Sequence, residues 1–273
     1  MPLARVVDYL NDRLHELHPH ARLRDEARFA LADGSLHAEI ADCRLTPYQV
    51  PVVDAGDSRV FGYCGRYVAV GATGRRLSPK SLYGRAREAA DVVFLDRFVR
   101  TFYALQHLNQ GRDADERLIA PVHLRHLSAV PEQHGLVFED LIARLGLSPS
   151  QVVLRIDGPA LHQDPHVRSA AASFVRRGYR LAATRIDPWA VDWALLEELG
   201  VRWVTPSLAA VHELNRHGLL GNWTRRARAR RIPVWLPEAP ATTPLPLDDA
   251  RNVGIELVER AASPAEAELA VAL

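Results

Sequence analysis

The side chains in this chain that could do chemistry are histidines, arginines and two cysteines, and their spacing narrows what that chemistry can be. His15, His18 and His20 crowd around a helix end and Pro19. Imidazoles this close could form part of a zinc donor set, or could equally decorate a solvated helix terminus. His123 and His126 are three apart on a segment read as strand running into loop. They then point to different faces, and no shared metal is expected. Cys43 and Cys64 are too few for a disulfide framework or a thiolate zinc site. The densest basic patch is Thr224-Arg225-Arg226-Ala227-Arg228-Ala229-Arg230-Arg231. It could meet the phosphates of nucleic acid or an acidic protein partner. It could also be the solvated last turns of a helix, where cations complement the dipole. Because it lacks the interleaved aromatics of a base-stacking surface, nucleic acid is not the expected partner.

The elements that must position these residues are legible from periodicity. Val7, Leu10, Leu14 and Leu17 recur at helical spacing, which predicts a helix from about 3 to 18 limited by Pro19. Its near-heptad stripe either packs on the rest of the chain or mediates a homodimer. Two β-branched runs over 43–53 and 59–70 flank the Asp54–Ser58 turn and predict a β-hairpin. Ser78-Pro79 opens a helix, and Val92, Leu95, Phe98, Phe102 and Leu105 mark a long one near 91–109. Strands then alternate with helices. Strands are predicted at 118–124, 151–156, 179–184, 201–205, 232–236 and 252–257, and helices at 136–145, 166–177, 189–199, 207–230 and 264–271. Trp189 and Trp193 share one face of their predicted helix, either as core or as an exposed partner-binding pair. Repeated strand–helix units argue for a parallel sheet, open or closed into a barrel. The 273 residues are 48% hydrophobic, enough for one large α/β domain, and the net charge of +1 produces no global field for nucleic acid or membrane. No run reaches about 18 apolar residues, so the expectation is a soluble cytoplasmic protein.

One stretch adds more. Pro51–Val68 reads P-V-V-D-A-G-D-S-R-V-F-G-Y-C-G-R-Y-V. It resembles the opening of the EAL domain, the bacterial cyclic di-GMP phosphodiesterase module, in which a Q-P-I-V-D segment and a turn lead into G-Y-E-A-L-L-R. Gly62-Tyr63 is intact, and Cys64-Gly65-Arg66 stands where Glu-Ala-Leu is expected. Pro121-Val122-His123-Leu124, Leu147-Ser148-Pro149 and Gly178-Tyr179-Arg180-Leu181-Ala182 resemble further family segments in the same order. The resemblance covers about residues 36–270. It implies a TIM-barrel-like (β/α)8 fold of EAL type with one antiparallel strand over 36–273, preceded by an N-terminal helical extension over 1–35.

The resemblance also implies what has changed. The family holds divalent cations with acidic residues and an asparagine at the barrel mouth, where they activate water against a phosphodiester. Here Cys64 stands for the first glutamate, His123 for the asparagine, and Arg155 and Gly158 for the two glutamates of the next motif. Thr184-Arg185 takes the place of paired aspartates and Thr205 that of a lysine, with Glu238 the one acid a slipped alignment could recover. Val50 and Val68 replace ligand-holding residues. Guanidinium groups stay charged and oppose a divalent cation. The resemblance with these departures implies a non-catalytic member that regulates through a protein partner, with no metal, no cofactor, and neither hydrolysis nor family-type binding of cyclic di-GMP. The alternative is a metal-independent receptor in which Arg155, Arg185 and His123 hold cyclic di-GMP or another phosphorylated anion. Against that, Asp157 and Asp187 could pair with the two arginines and fill the old cavity. Cys64 beside His123 could be a nucleophile, or a buried thiol. Residual phosphodiesterase activity is the reading these residues disfavour. The loop 237–246, too rich in proline for helix, would leave one flank of the barrel open to a partner.

Overall fold

The computed structural model describes residues 3–112, 115–130, 134–237 and 247–260. Its strands are β1 (Arg28–Ala32), β2 (Ser35–Ile40), β3 (Cys43–Asp54), β4 (Val60–Gly71), β5 (Arg76–Leu77), β6 (Arg117–Pro121), β7 (Val152–Asp157), β8 (Arg180–Ile186), β9 (Val201–Pro206), β10 (Trp235–Leu236) and β11 (Leu257–Glu259). β3 and β4 form the long antiparallel hairpin that the two β-branched runs predict, with Val50 opposite Cys64. From β4 the order β6, β7, β8, β9 is parallel throughout. β9 is joined to Val234, the residue before β10, by a single parallel bridge from Val204. β10 runs parallel to β11, and β11 returns antiparallel to β3. Eight strands thus encircle one interior, with β3 the one that runs against the rest, as a TIM-barrel-like fold of EAL type requires.

Alternation along each strand fills that interior. Val50 and Val52, Cys64, Ile119, Val153, Ala182, Trp203, Trp235 and Leu257 form one cluster, with a member from every strand of the ring. The second, larger cluster lies between the outer strand faces and the helices. The helix Ala89–Asn109 dominates it. The helix is buried on nearly every face, and its Phe98 stacks on Phe29 of β1 at 4.2 Å. Gly62 explains the intact Gly-Tyr pair in physical terms. A Cβ there would lie 2.4 Å from the Arg117 carbonyl oxygen on β6, so only glycine lets these two strands close.

Several local expectations change. The predicted helix over 3–18 is two helices, Leu3–Asn11 and Leu14–Leu17, and all four stripe residues are buried within the chain. The stripe is therefore covered by the chain's own core. Residues before 36 are not helical alone. β1 pairs with β2 through an Asp33-Gly34 turn with φ of 50° and 76°, the left-handed pair a two-residue hairpin needs, and β2 continues onto β3. The helix predicted over 207–230 breaks at Gly218 into Leu208–Arg216 and Leu220–Ala229. No strand spans the predicted 252–257: Asn252 ends the helix Leu247–Asn252, and the strand β11 begins only at Leu257. The predicted helix over 264–271, the loop 238–246 and Glu238 lie outside the described residues. No helix among the described residues is long and apolar enough to cross a membrane.

Candidate functional site

The C-terminal ends of β4, β6, β7 and β8 open on a cavity of about 620 Å³. Tyr48, Arg66, Tyr83, His123, Arg155 and Arg185 line it. His123, Arg155 and Arg185 therefore share one mouth. Each reaches it by a different local device.

Arg155 points inward from β7, two residues after Val153 of the interior cluster. Its Nη1 donates to Oε1 of Glu259 at 2.7 Å, and its guanidinium lies 5.1 Å from the Trp235 ring centre. Glu259 is inward on β11, two residues after Leu257, and its side chain is 1% exposed. Its other oxygen accepts from Arg66 Nη2 at 3.0 Å. Arg66 and Arg155 both also donate to the Cys64 thiol. One buried carboxylate thus joins two guanidinium groups over a buried cysteine, and both carboxylate oxygens are engaged. Thr205 Oγ1 and Trp235 Nε1, on the neighbouring strands, are buried with no hydrogen-bond partner among the described residues.

Arg185 sits at a bulge. Thr184 pairs with Thr205 and Ile186 with Pro206, so Arg185 is the extra residue, and its φ is +55°. Its guanidinium reaches the carboxylate of Asp157, which also accepts from the Ala160 amide and so caps the helix Gly158–Gln163. Between Asp157 and the bulge, Gly158 packs tightly. A Cβ there would lie 2.5 Å from Ile186 Cδ1 and 2.7 Å from the Thr184 carbonyl oxygen. Position 158 therefore has no room for a side chain.

His123 is the cap of the helix Leu124–Ala129, not the end of a strand as expected. Its Nδ1 accepts from the Arg125 amide at 3.3 Å, which assigns the ring proton to Nε2. The ring stacks on Tyr83 at 3.7 Å. Burial lowers its pKa, and Asp96 only partly offsets this. The platform is held from below by Asp96, 1% exposed, on the long helix. Asp96 accepts from the His123 amide at 2.9 Å, from Tyr83 Oη at 3.2 Å and from Arg100 Nε at 2.8 Å. Burial opposes its charge, but Arg100, His126 and the His123 amide outweigh burial and hold it below the usual carboxylate range. His126 points away from the mouth into this network, although the strand alternation expected to separate the two rings is absent, because both belong to the start of one helix.

Sequence reasoning placed Asp157 and Asp187 against the arginines. Asp157 does hold Arg185. Asp187 instead accepts from the Trp189 amide, and Arg155 is held by Glu259 from the far side of the barrel. Glu259, Arg66 and Asp96 were missed. The signal for the first two was present, because Leu257 and Glu259, like Cys64 and Arg66, are two apart on strands whose alternate residues face inward. Cys64 is fully buried, and its polar contacts among the described residues are with arginines rather than with His123. Trp189 lies outside its predicted helix, which begins at Trp193, and is 56% exposed, while Trp193 is buried against Trp223. Among the described residues, no group of three or more His, Cys, Asp or Glu side chains is placed to hold a metal ion.

No family model matches the chain, and no curated protein matches it in sequence at a significant level. Solved structures do. The PaMucR phosphodiesterase in complex with c-di-GMP superposes with a TM-score of 0.67 at 13% identity, over 82% of this chain and 93% of that one. A standalone EAL protein from Vibrio cholerae, c-di-GMP bound, gives 0.62 at 13% identity, over 79% and 89%. The Bacillus subtilis YkuI protein, which has an EAL domain and was solved with c-di-GMP and calcium, gives 0.62 at 15% identity. The match there covers 83% of this chain, which spans 58% of that protein. The fold of this chain is the one these EAL structures carry.

Proposed function

We propose that this protein is a non-hydrolysing EAL-fold regulator that acts through contact with another protein. The observation that carries the reading is the Glu259 carboxylate clamped between Arg66 and Arg155 over Cys64. A divalent cation needs several hard oxygens converging on one point. Here the mouth offers three guanidinium groups, a thiol and two carboxylates, Glu259 held by Arg66 and Arg155 and Asp157 held by Arg185 and the Ala160 amide, so that all four oxygens are taken, and Gly158 leaves no space for a further acid. This donor set does not fit the family's metal. The partner surface we assign is the rim beside Arg185. Trp189 stands exposed there, in the same loop as Asp187 and Ala190 of a cavity of about 270 Å³ whose lining also includes Arg185, Ile186 and Leu195. A large exposed amphipathic side chain beside such a recess has the form of an interface anchor.

A second reading is favoured by the open mouth. The cavity persists although each arginine is paired, and His123 Nε2–H is free of any role in the cap. In this reading the mouth holds a phosphorylated anion without metal, through charge-assisted hydrogen bonds. The deciding experiment is calorimetric titration with cyclic di-GMP, with and without magnesium, alongside a hydrolysis assay. The regulator reading expects no heat at tens of micromolar protein and no product. Binding that is independent of magnesium would support the receptor reading. Magnesium-dependent binding or turnover would refute both.

A further inference from the structure

The opposite, N-terminal end of the barrel carries a groove of about 700 Å³. Arg180, Arg202, Arg228 and Arg231 line it, together with Tyr179 and Trp203. No ion pair holds any of these four arginines among the described residues. Their one side-chain hydrogen bond among the described residues is a long one, from Arg228 Nη2 to the Gly254 carbonyl at 3.5 Å. The single carboxylate in the groove, Glu256, accepts from Trp203 Nε1 at 3.2 Å. A fifth cation, Arg117, lies 4.7 Å over the Phe61 ring, which itself packs edge-on against Trp203.

Two backbone features aim these arginines. Leu181 pairs with Val201 and Ala182 with Trp203, so Arg202 is the extra residue of a bulge. Consecutive residues of a regular strand face opposite sides, yet Arg202 and Trp203 both line this groove. Arg231 is the second. The helix Leu220–Ala229 ends with the Ile232 amide bonded back to the Ala227 carbonyl. The same closure ends the helices before Gly146, Gly178, Gly218 and Gly254, where glycine takes the left-handed position with φ from 69° to 92°. Here the position is filled by arginine at φ +59°. A β-carbon there is sterically unfavourable, so the fold alone would choose glycine. The basic run read from sequence as a solvated helix end therefore divides. Arg230 pairs with Glu197 at 3.2 Å, and Arg228 and Arg231 turn to the groove.

We infer that this groove is a binding site for a polyphosphate group, distinct from the barrel mouth. Four guanidinium groups against one engaged carboxylate match clustered phosphate oxygens, which accept forked N–H pairs. Trp203 and Tyr179 are buried rather than presented as stacking faces, so the recognised group is the phosphate chain and not a base.

The test is calorimetric titration of the full chain, without magnesium, using inorganic pyrophosphate and, separately, ATP. One saturable site is expected. Arg202→Ala should weaken it about tenfold, as loss of a charge-assisted bond does. Arg231→Gly should weaken binding similarly while leaving the melting temperature unchanged or raised, because glycine relieves the left-handed strain. That combination separates loss of a ligand contact from loss of fold. Comparable affinity for the two probes is expected, because the phosphate chain is the recognised group; ATP binding more than about tenfold tighter than pyrophosphate would show that a base is read and would overturn that assignment. The inference is overturned if millimolar pyrophosphate gives no saturable heat. It is also overturned if binding survives Arg202→Ala and Arg231→Gly and is lost in Arg185→Ala at the mouth.

Discussion

Replacing Glu259 by glutamine is the perturbation that probes the barrel mouth most directly. The substitution keeps the side-chain shape and one acceptor oxygen but removes the charge that Arg66 and Arg155 share. Glu259 is 1% exposed, Arg155 11% and Arg66 27%, so one charge is sealed and the other two are only partly screened. Breaking a buried pair by removing one partner leaves an uncompensated charge and costs about 3–5 kcal/mol. Partial exposure of Arg66 places Glu259→Gln near the lower end, about 3 kcal/mol. That is a large share of the ~5–15 kcal/mol of a typical domain. For a chain of this size it corresponds to a melting temperature lower by roughly 6–12 °C. The assay is a double-mutant cycle in denaturant with Glu259→Gln and Arg155→Met. A coupling of about 2 kcal/mol is expected, because the double mutant removes both the unpaired cation and its anion. The internal control is the Asp157–Arg185 pair, in which Arg185 is 69% exposed, and there the coupling should stay below about 1 kcal/mol. Equal couplings for the two pairs, or a Glu259→Gln protein as stable as the parent, would refute the argument that this carboxylate organises the mouth.

Three further outcomes follow from the same geometry. Burial depresses His107 to about 4 and His126 to about 3, so between pH 6.5 and about 4 the unfolded chain binds protons that the folded chain refuses. Stability should therefore be full above pH 6.5 and fall as pH drops, by about 2–3 kcal/mol per ring at pH 4.5. Asp96, whose pKa lies below the usual range, contributes its loss only at lower pH; equal denaturant midpoints at pH 7 and 4.5 would contradict this. Gly62→Ala should destabilise by at least ~2 kcal/mol, because the Arg117 carbonyl 2.4 Å from the new carbon belongs to a paired strand that cannot yield; an unchanged melting temperature would show that the ring is looser than described. Cys43 and Cys64 are both buried, so a thiol reagent should label neither in the native protein and both after unfolding. Labelling of native Cys64 within seconds would instead revive it as a reactive thiol.

The sequence by itself determined the elements and their order. The alternation in Val50–Val53 and in 59–70, the turn residues between them, and the glycines that end the helices are local signals with periods of two and 3.6. The β1–β2 hairpin is equally local, with Asp33-Gly34 between alternating apolar residues. The types of the mouth residues were also readable: Cys64, His123, Arg155, Gly158 and Arg185 do not make a hard-oxygen site. What only the tertiary structure decided was who neutralises whom. Arg155 lies 104 residues from Glu259, and barrel closure alone brings them together. No periodicity in either strand carries that information, because pairing across a barrel depends on which strands become neighbours. The left-handed Arg231 and the bulged Arg202 were likewise invisible. Backbone conformation at a helix end and strand register are set by packing against the rest of the fold, not by the residue that must accept them.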